Sequence, residues 1–212
     1  MKVGVGLVVA VILLASSVVA QTVINGVELP VVDGSRLLCN EQSSADGRIL
    51  CSLNASRYDV LTFWPESCIR LSQQESRDCL AVAAASMPCR VYPSFEERDV
   101  CFRTKLNIRP AQEAFTICIH TDGADRLKCL EALNEDIVRM ASFRFDGLED
   151  KATDAYKRGV SPSRVVGIIS RLENAKLLLV QAKLRDERAK IVKDIQRDWR
   201  LFASQAREEL DR

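Results

Sequence analysis

A single histidine, His120, occurs among 212 residues, and no two of the eight cysteines stand closer than ten residues. Structural zinc sites are built from close C-x-x-C pairs, and haem attachment needs C-x-x-C-H, so neither a metal nor another cofactor is expected. The formal net charge is +1, without the concentrated basic face that nucleic-acid binding requires. Phosphate-loop, nucleophile-elbow and calcium-loop spacings are absent, which leaves no recognised catalytic pattern. Beyond residue 20 no apolar run reaches the ~20 residues that span a bilayer. The chain therefore reads as a non-enzymatic protein.

What the sequence does contain begins with an export signal at 1–20. Lys2 supplies the charged end, Val3 to Leu14 the apolar run, and Val18-Val19-Ala20 a small-residue cleavage site. The mature protein is then secreted, extracellular or periplasmic, with no membrane attachment unless this segment is retained as an anchor. Export also exposes the cysteines to oxidation, where an even number at regular spacing reads as a disulfide framework.

That spacing is the strongest signal in the chain. Cys39, Cys51, Cys68 and Cys79 are followed by Cys89, Cys101, Cys118 and Cys129, so gaps of 12, 17 and 11 residues recur after an offset of 50. Besides the cysteines, only Ser44/Ser94, Arg48/Arg98, Ile69/Ile119 and Leu80/Leu130 match between the copies over Cys39 to Leu80. A duplicated framework stripped to caps, core and sulfur is structural, because small helical units bury too little surface to hold without staples.

Each copy reads as three short helices. Ser44 and Ser94 are helix caps, the latter with Glu97 forming a Ser-x-x-Glu box. Second helices occupy Val60 to Arg70, where Pro65 delays or kinks the start, and Pro110 to Cys118. Ser72 with Glu75, and Asp122, cap third helices that hold Cys79 and Cys129. Four cysteines allow three pairings. An up-down-up trio favours Cys39–Cys68 with Cys51–Cys79, repeated as Cys89–Cys118 with Cys101–Cys129. Ahead of the repeats, Asn25-Gly26 between β-branched and apolar residues suits a small two-residue hairpin.

The 83 residues after Cys129 lack cysteine, and apolar positions there step by threes and fours. One helix is predicted from about Ala124 to Arg158, with a potential restart at Asp146-Gly147. Ser161-Pro162 opens a last helix running to about Leu210. Its apolar stripe shifts phase between Leu179 and Ile191, which indicates a change of packing partner more than a uniform coiled coil. If the hairpin is straight, the longer return helix overshoots by ~20 Å at 1.5 Å per residue and carries Trp199 and Phe202 beside the disulfide repeats.

The expected fold is all-α: two tandem disulfide-stapled three-helix repeats followed by a long antiparallel helical hairpin, after a small N-terminal β-hairpin. The divisions are 1–20 signal peptide, 21–38 N-terminal segment, 39–88 and 89–134 repeats, and 135–212 arm. Charge divides with them, net −3 over 21–134 and +3 over 135–212. Leu179, Ile191, Ile195, Trp199 and Phe202 form the candidate docking or interaction surface, for a protein partner or self-association. The alternative is a carrier whose apolar pocket is lined by Phe63, Trp64, Phe95 and Phe115; an enzyme of unfamiliar type is third. Cys118, His120 and Asp122 make a nominal thiol, imidazole and carboxylate set, but Cys118 has a scaffold twin in Cys68 while His120 aligns with Arg70. Asn54-Ala-Ser56 matches the N-glycosylation acceptor.

Overall fold

In the computed structural model the described residues are 23–24, 27–28, 39, 42–54 and 65–211. The export signal expected at 1–20, Phe63 and Trp64 lie outside them, as does the first part of the helix expected from Val60. Val23–Ile24 (β1) pairs antiparallel with Val27–Glu28 (β2), Ile24 opposite Val27. All other regular structure among the described residues is helical: α1 Ala45–Asn54, α2 Glu66–Ile69, α3 Gln73–Ser86, a 3-10 turn Met87–Cys89, α4 Phe95–Leu106, α5 Ala111–Ile119, α6 Gly123–Lys157, α7 Pro162–Gln181 and α8 Arg185–Leu210.

Local chemistry sets the helix starts. Ser44 Oγ accepts from the Gly47 amide at 3.0 Å, and Ser94 and Glu97 exchange bonds of 3.1 and 3.3 Å, satisfying amides that a helix start leaves free. Ser72 N donates to Glu75 at 3.2 Å. Asp122 departs from expectation, since its side chain makes no cap bond. Gly123 instead turns the chain with φ +59°, a conformation that costs glycine little. At the arm, Ser161 likewise makes no cap bond; its hydroxyl donates to Glu209.

The two repeats do use their sulfurs as bridges, but the expected pairing is overturned. The bonds are Cys39–Cys51, Cys68–Cys79, Cys89–Cys101 and Cys118–Cys129, with Cα separations of 5.4–5.5 Å. Cys39–Cys68, Cys51–Cys79, Cys89–Cys118 and Cys101–Cys129 do not form. The up-down-up trio assumed that the first and third helices of a repeat lie side by side. In fact α1 takes α7 as its main neighbour, while α3 packs on α2 and α4. Each bridge therefore ties a helix to the chain just before it: Cys68 ends α2, and the short turn at 70–72 brings α3 back past it.

α6 runs unbroken for 35 residues, through position 134 and through Gly147, so the restart at Asp146-Gly147 does not occur. Gly159, at φ +109°, closes the turn into α7. The single return helix, by contrast, is two helices. Extended backbone at Ala182 and Leu184 interrupts it, and α8 folds back along α7, with Arg164 on Glu209 and Arg171 on Asp198 marking the antiparallel register. The phase shift in the apolar stripe thus marks a chain reversal, and the overshoot disappears. Trp199 and Phe202 lie tilted at 39° with ring centroids 5.2 Å apart, in an apolar cluster that also takes in Ile49 and Leu53 of the first repeat.

α7 is the centre of the molecule. It packs on α6, α8, α1 and α2, and Val165, Val166, Ile168, Ile169, Leu172, Ala175 and Leu179 are all buried. Its apolar face is wide, and a stripe through Arg164, Arg171, Asn174 and Gln181 stays exposed. A smaller core joins repeat two to α6, where Phe102 and Phe143 stack with centroids 4.1 Å apart and Cys89, Ile108 and Met140 pack around them.

Peptide mapping of unreduced protein is expected to yield only the neighbour-linked pairs; a peptide joining Cys51 to Cys79 contradicts the fold. Replacing Cys118 and Cys129 together by serine is expected to cost about 3 kcal/mol in denaturant unfolding, the loop-entropy value for a bridge of this span.

Candidate functional site

α7 buries two charged side chains, Glu173 and Lys176, which are 2% and 4% exposed. A charge in this setting needs partners to offset desolvation. Lys176 Nζ lies 2.5 Å from Asp146 Oδ1 and 2.7 Å from Glu149 Oε1, both on α6, and 2.8 Å from Glu173 Oε1. Of these contacts the one to Glu149 is the least well aligned as a hydrogen bond. Glu173 Oε2 accepts from the Ser67 amide at 2.6 Å, which locks α2 to the arm.

Three carboxylates around one ammonium cannot all ionise cheaply. Burial, and next the charge of Glu173, push the Glu149 carboxyl well above the ordinary range. Burial also acts to raise Glu173, but Lys176 and the Ser67 bond outweigh it and hold that carboxyl below its usual value. Burial acts against the Lys176 ammonium, and the surrounding carboxylates overcome it and raise Lys176 well above its ordinary value. The ligand atoms of Asp146, Glu149 and Glu173 lie within 4.8 Å of one another, the geometry of a cation site. Lys176 already provides the cation there, so a metal ion does not fit beside it.

Further ion pairs flank this cluster. Glu66, 2% exposed, lies between Arg48 at 2.5 Å and Arg70 at 3.4 Å. Asp150 takes a two-pronged bond from Arg90 and a contact from Arg98 at 3.4 Å. The matched arginines of the repeats share a second role: Arg48 donates to the Gln42 carbonyl and Arg98 to the Tyr92 carbonyl, each at 2.6 Å.

Above the cluster opens a cleft of about 740 Å³. One wall is a stripe of α3 through Asp78, Val82 and Ser86, and the other a stripe of α6 through Asn134, Val138 and Ser142. Leu177 and Val180 of α7, Lys183 and Arg188 complete it, with Asp146 and Lys176 on the floor. The exposed wall is mainly apolar.

The residues singled out in the sequence are not brought together here. Leu179, Ile195 and Phe202 are buried in the arm core, and Ile191 and Trp199 pack half-buried against it. They form the internal docking surface of α8, and their burial removes them as a free interaction stripe. Phe95 and Phe115 are 41% and 51% exposed and do not line the cleft, because α4 and α5 present them outward. Cys118 is bonded to Cys129, leaving exposed His120 and Asp122 without a thiol. Asn54 is exposed at the end of α1, where its Oδ1 accepts from Tyr156 Oη at 2.6 Å. Sequence reasoning missed the Lys176 cluster and the cleft. The available signal was phase: Lys176 falls in step with Val165, Ile169, Leu172 and Leu179, away from the polar stripe of Arg164, Arg171 and Asn174.

No family model matches the chain, and no curated protein or solved structure matches it.

Replacing Lys176 with Met strands two buried carboxylates, Glu149 and Glu173, beside half-buried Asp146 and is expected to cost about 3–5 kcal/mol at neutral pH. The two glutamates should behave oppositely. Because the Glu149 value is raised, the stability it contributes is complete below the ordinary carboxylate range and is lost as pH rises through its folded value. Because the Glu173 value is lowered, its contribution is present above that range and is lost as pH falls through its folded value. Thermal melts across pH are therefore expected to show Glu149→Gln gaining on wild type as pH rises, and Glu173→Gln losing most at neutral pH. A Glu149→Gln difference that does not change with pH contradicts the assignment.

Proposed function

We propose that the chain is a secreted, non-enzymatic binding protein that meets a protein partner on the outer face of its second repeat. Four intramolecular bridges suit an oxidising, extracellular compartment. The observation that carries the reading is the contrast between the second helices of the two repeats. In α2, Glu66, Ser67 and Cys68 are all buried against the rest of the fold. In α5 only Cys118 is buried, although Phe115, Ile117 and Ile119 make this helix strongly apolar. Val91, Val100 and Leu127 of the same repeat are 80%, 64% and 65% exposed. Exposed apolar side chains gathered on one module are candidates for an interaction site. The non-enzymatic reading is supported by the charge cluster, whose ionisable groups are spent on one another.

A second reading, a carrier of a small apolar ligand, is favoured by the cleft, whose volume falls within the roughly 300–1,000 Å³ typical of ligand sites.

A photo-crosslinking residue placed at Phe115 is expected to capture one defined protein in the native compartment, whereas the same residue at Arg200, on the polar outer face of α8, captures none. Indistinguishable adducts from both positions, or none from Phe115, reject the partner surface. Light scattering of the Phe115→Asp protein tests whether that partner is a second copy, since a dimer would then become a monomer.

A further inference from the structure

We infer that the cleft between α3, α6 and α7 binds a single-chain amphiphile with an anionic head, the tail lying on the apolar wall and the head at Lys183 and Arg188. This rests on the carrier reading and adds the chemistry of the ligand.

The cations of the cleft are not equivalent. Lys176, on the floor, is surrounded by three carboxylates, and Arg139 is held by Glu135 at 3.3 Å and Asp136 at 3.1 Å. Lys183 makes no ion pair among the described residues. Arg188 spends Nε on the Ala182 carbonyl at 2.9 Å and Nη1 on Asn134 Oδ1 at 3.0 Å. Both acceptors are neutral, and Nη2 has no hydrogen-bond partner among the described residues. Two positive groups without a countercharge therefore stand together at one end of the cleft, where α7 turns into α8. A carboxylate or sulfate head can take a charge-assisted bond from each.

The facing carboxylates set the orientation. Glu75 and Asp78 stand on the α3 rim, bonded to Ser72 and Gln74 respectively. Glu131 and Glu135 lie on α6, Glu135 engaged with Arg139. Glu131 is the one carboxylate of the rim with no bonded partner among the described residues, and an anionic head settles away from it, on the α7–α8 side. From there Val180, which is 46% exposed, leads inward past Leu177 and Val138 to Val82 and the Phe102–Phe143 stack. The α6 stripe from Glu131 to Asp146 is ~22 Å long at 1.5 Å per residue, which accommodates an extended tail rather than a compact ligand. The floor favours the same arrangement: Asp146 with Lys176 is an internally satisfied pair, so neither is left to draw the head inward.

Titration calorimetry of the oxidised protein with monomeric dodecanoate, dodecyl sulfate, dodecyltrimethylammonium and dodecyl maltoside tests this. Dodecanoate and dodecyl sulfate are expected to bind one per chain, dodecyltrimethylammonium and dodecyl maltoside at least tenfold more weakly, and decanoate about tenfold more weakly than dodecanoate because two methylenes are lost from the wall. Lys183→Glu should weaken dodecanoate about tenfold, Val180→Glu should weaken both anions, and Glu131→Gln should tighten them. Lys183 and Val180 are exposed, so unchanged thermal melts show that both variants fold. Equal affinity for all four heads, or a Lys183→Glu protein that binds dodecanoate unchanged, overturns the head site while leaving the cleft a carrier of amphiphiles. Binding of none of the four overturns the carrier reading and this inference together. Tight binding of one anion alone supports the head site and identifies whether carboxylate or sulfate is preferred.

Discussion

A helix buried on most of its faces must find partners inside the protein for the polar groups it buries, and α7, which leaves mainly a stripe through Arg164, Arg171 and Asn174 to solvent, is such a helix. α6, α8, α1 and α2 pack against it, so each buried polar position on it dictates something about a neighbour. Lys176 requires carboxylates at the facing positions of α6, which Asp146 and Glu149 provide. Glu173 requires a donor on the other side, which is the Ser67 amide. One turn of α7 thereby fixes its register against the long arm helix and anchors the first repeat. Buried ion pairs are weak sources of net stability, since desolvation consumes most of the attraction. Their strength here is in specificity: sliding α7 by one turn would separate Lys176 from all three oxygens.

Sulfur and charge divide the structural work by range. Each bridge spans a separation of 11 or 12 residues, none joins the two repeats, and only Cys118–Cys129 reaches the long helix α6, close to its start. The disulfides thus shape helix-to-helix corners locally by restricting the unfolded chain. Long-range order comes from burial of α7, with the Lys176 cluster and the Phe102–Phe143 stack as fixed points. Reduction should therefore loosen corners more than it separates arm from repeats.

How much of this was legible in the sequence follows from how local each determinant is. The 50-residue duplication, the Ser94–Glu97 box, α6 and the start of α7 at Pro162 were readable because caps, spacing and periodicity act within a few residues. The cysteine pairing was not, because it depends on α1 packing on α7, more than a hundred residues away, instead of on α3. The α7–α8 break left a visible trace in the phase shift after Leu179, but a phase shift is compatible with either a new partner or a reversal, and no glycine or proline stands at 182–184 to decide. Glu173 and Lys176, three residues apart, have the spacing of an ordinary surface pair. Only the enclosure of α7 turns them into a core cluster. The cleft was invisible for a related reason: its stripes on α3 and α6 are amphipathic faces that would look the same if packed together.

The two repeats also show how a duplicated framework can retain geometry while changing surroundings. Arg48 and Arg98 persist in both copies, and each bonds the carbonyl six residues before it at the start of its helix. Arg188 does the same to Ala182 at the start of α8, outside the repeats altogether. The matched arginine therefore reports a way of beginning a helix, not an activity shared by the copies. What differs is the covering: Ser67 in the first repeat is enclosed and bonded to Glu173, while Ile117 at the equivalent place in the second is exposed. A small polar residue suits a position whose amide must reach a buried carboxylate, whereas an isoleucine there gains nothing from water and can gain free energy only from a surface brought to it. Divergence at this pair of positions fits one repeat serving the interior of the protein and the other serving its exterior.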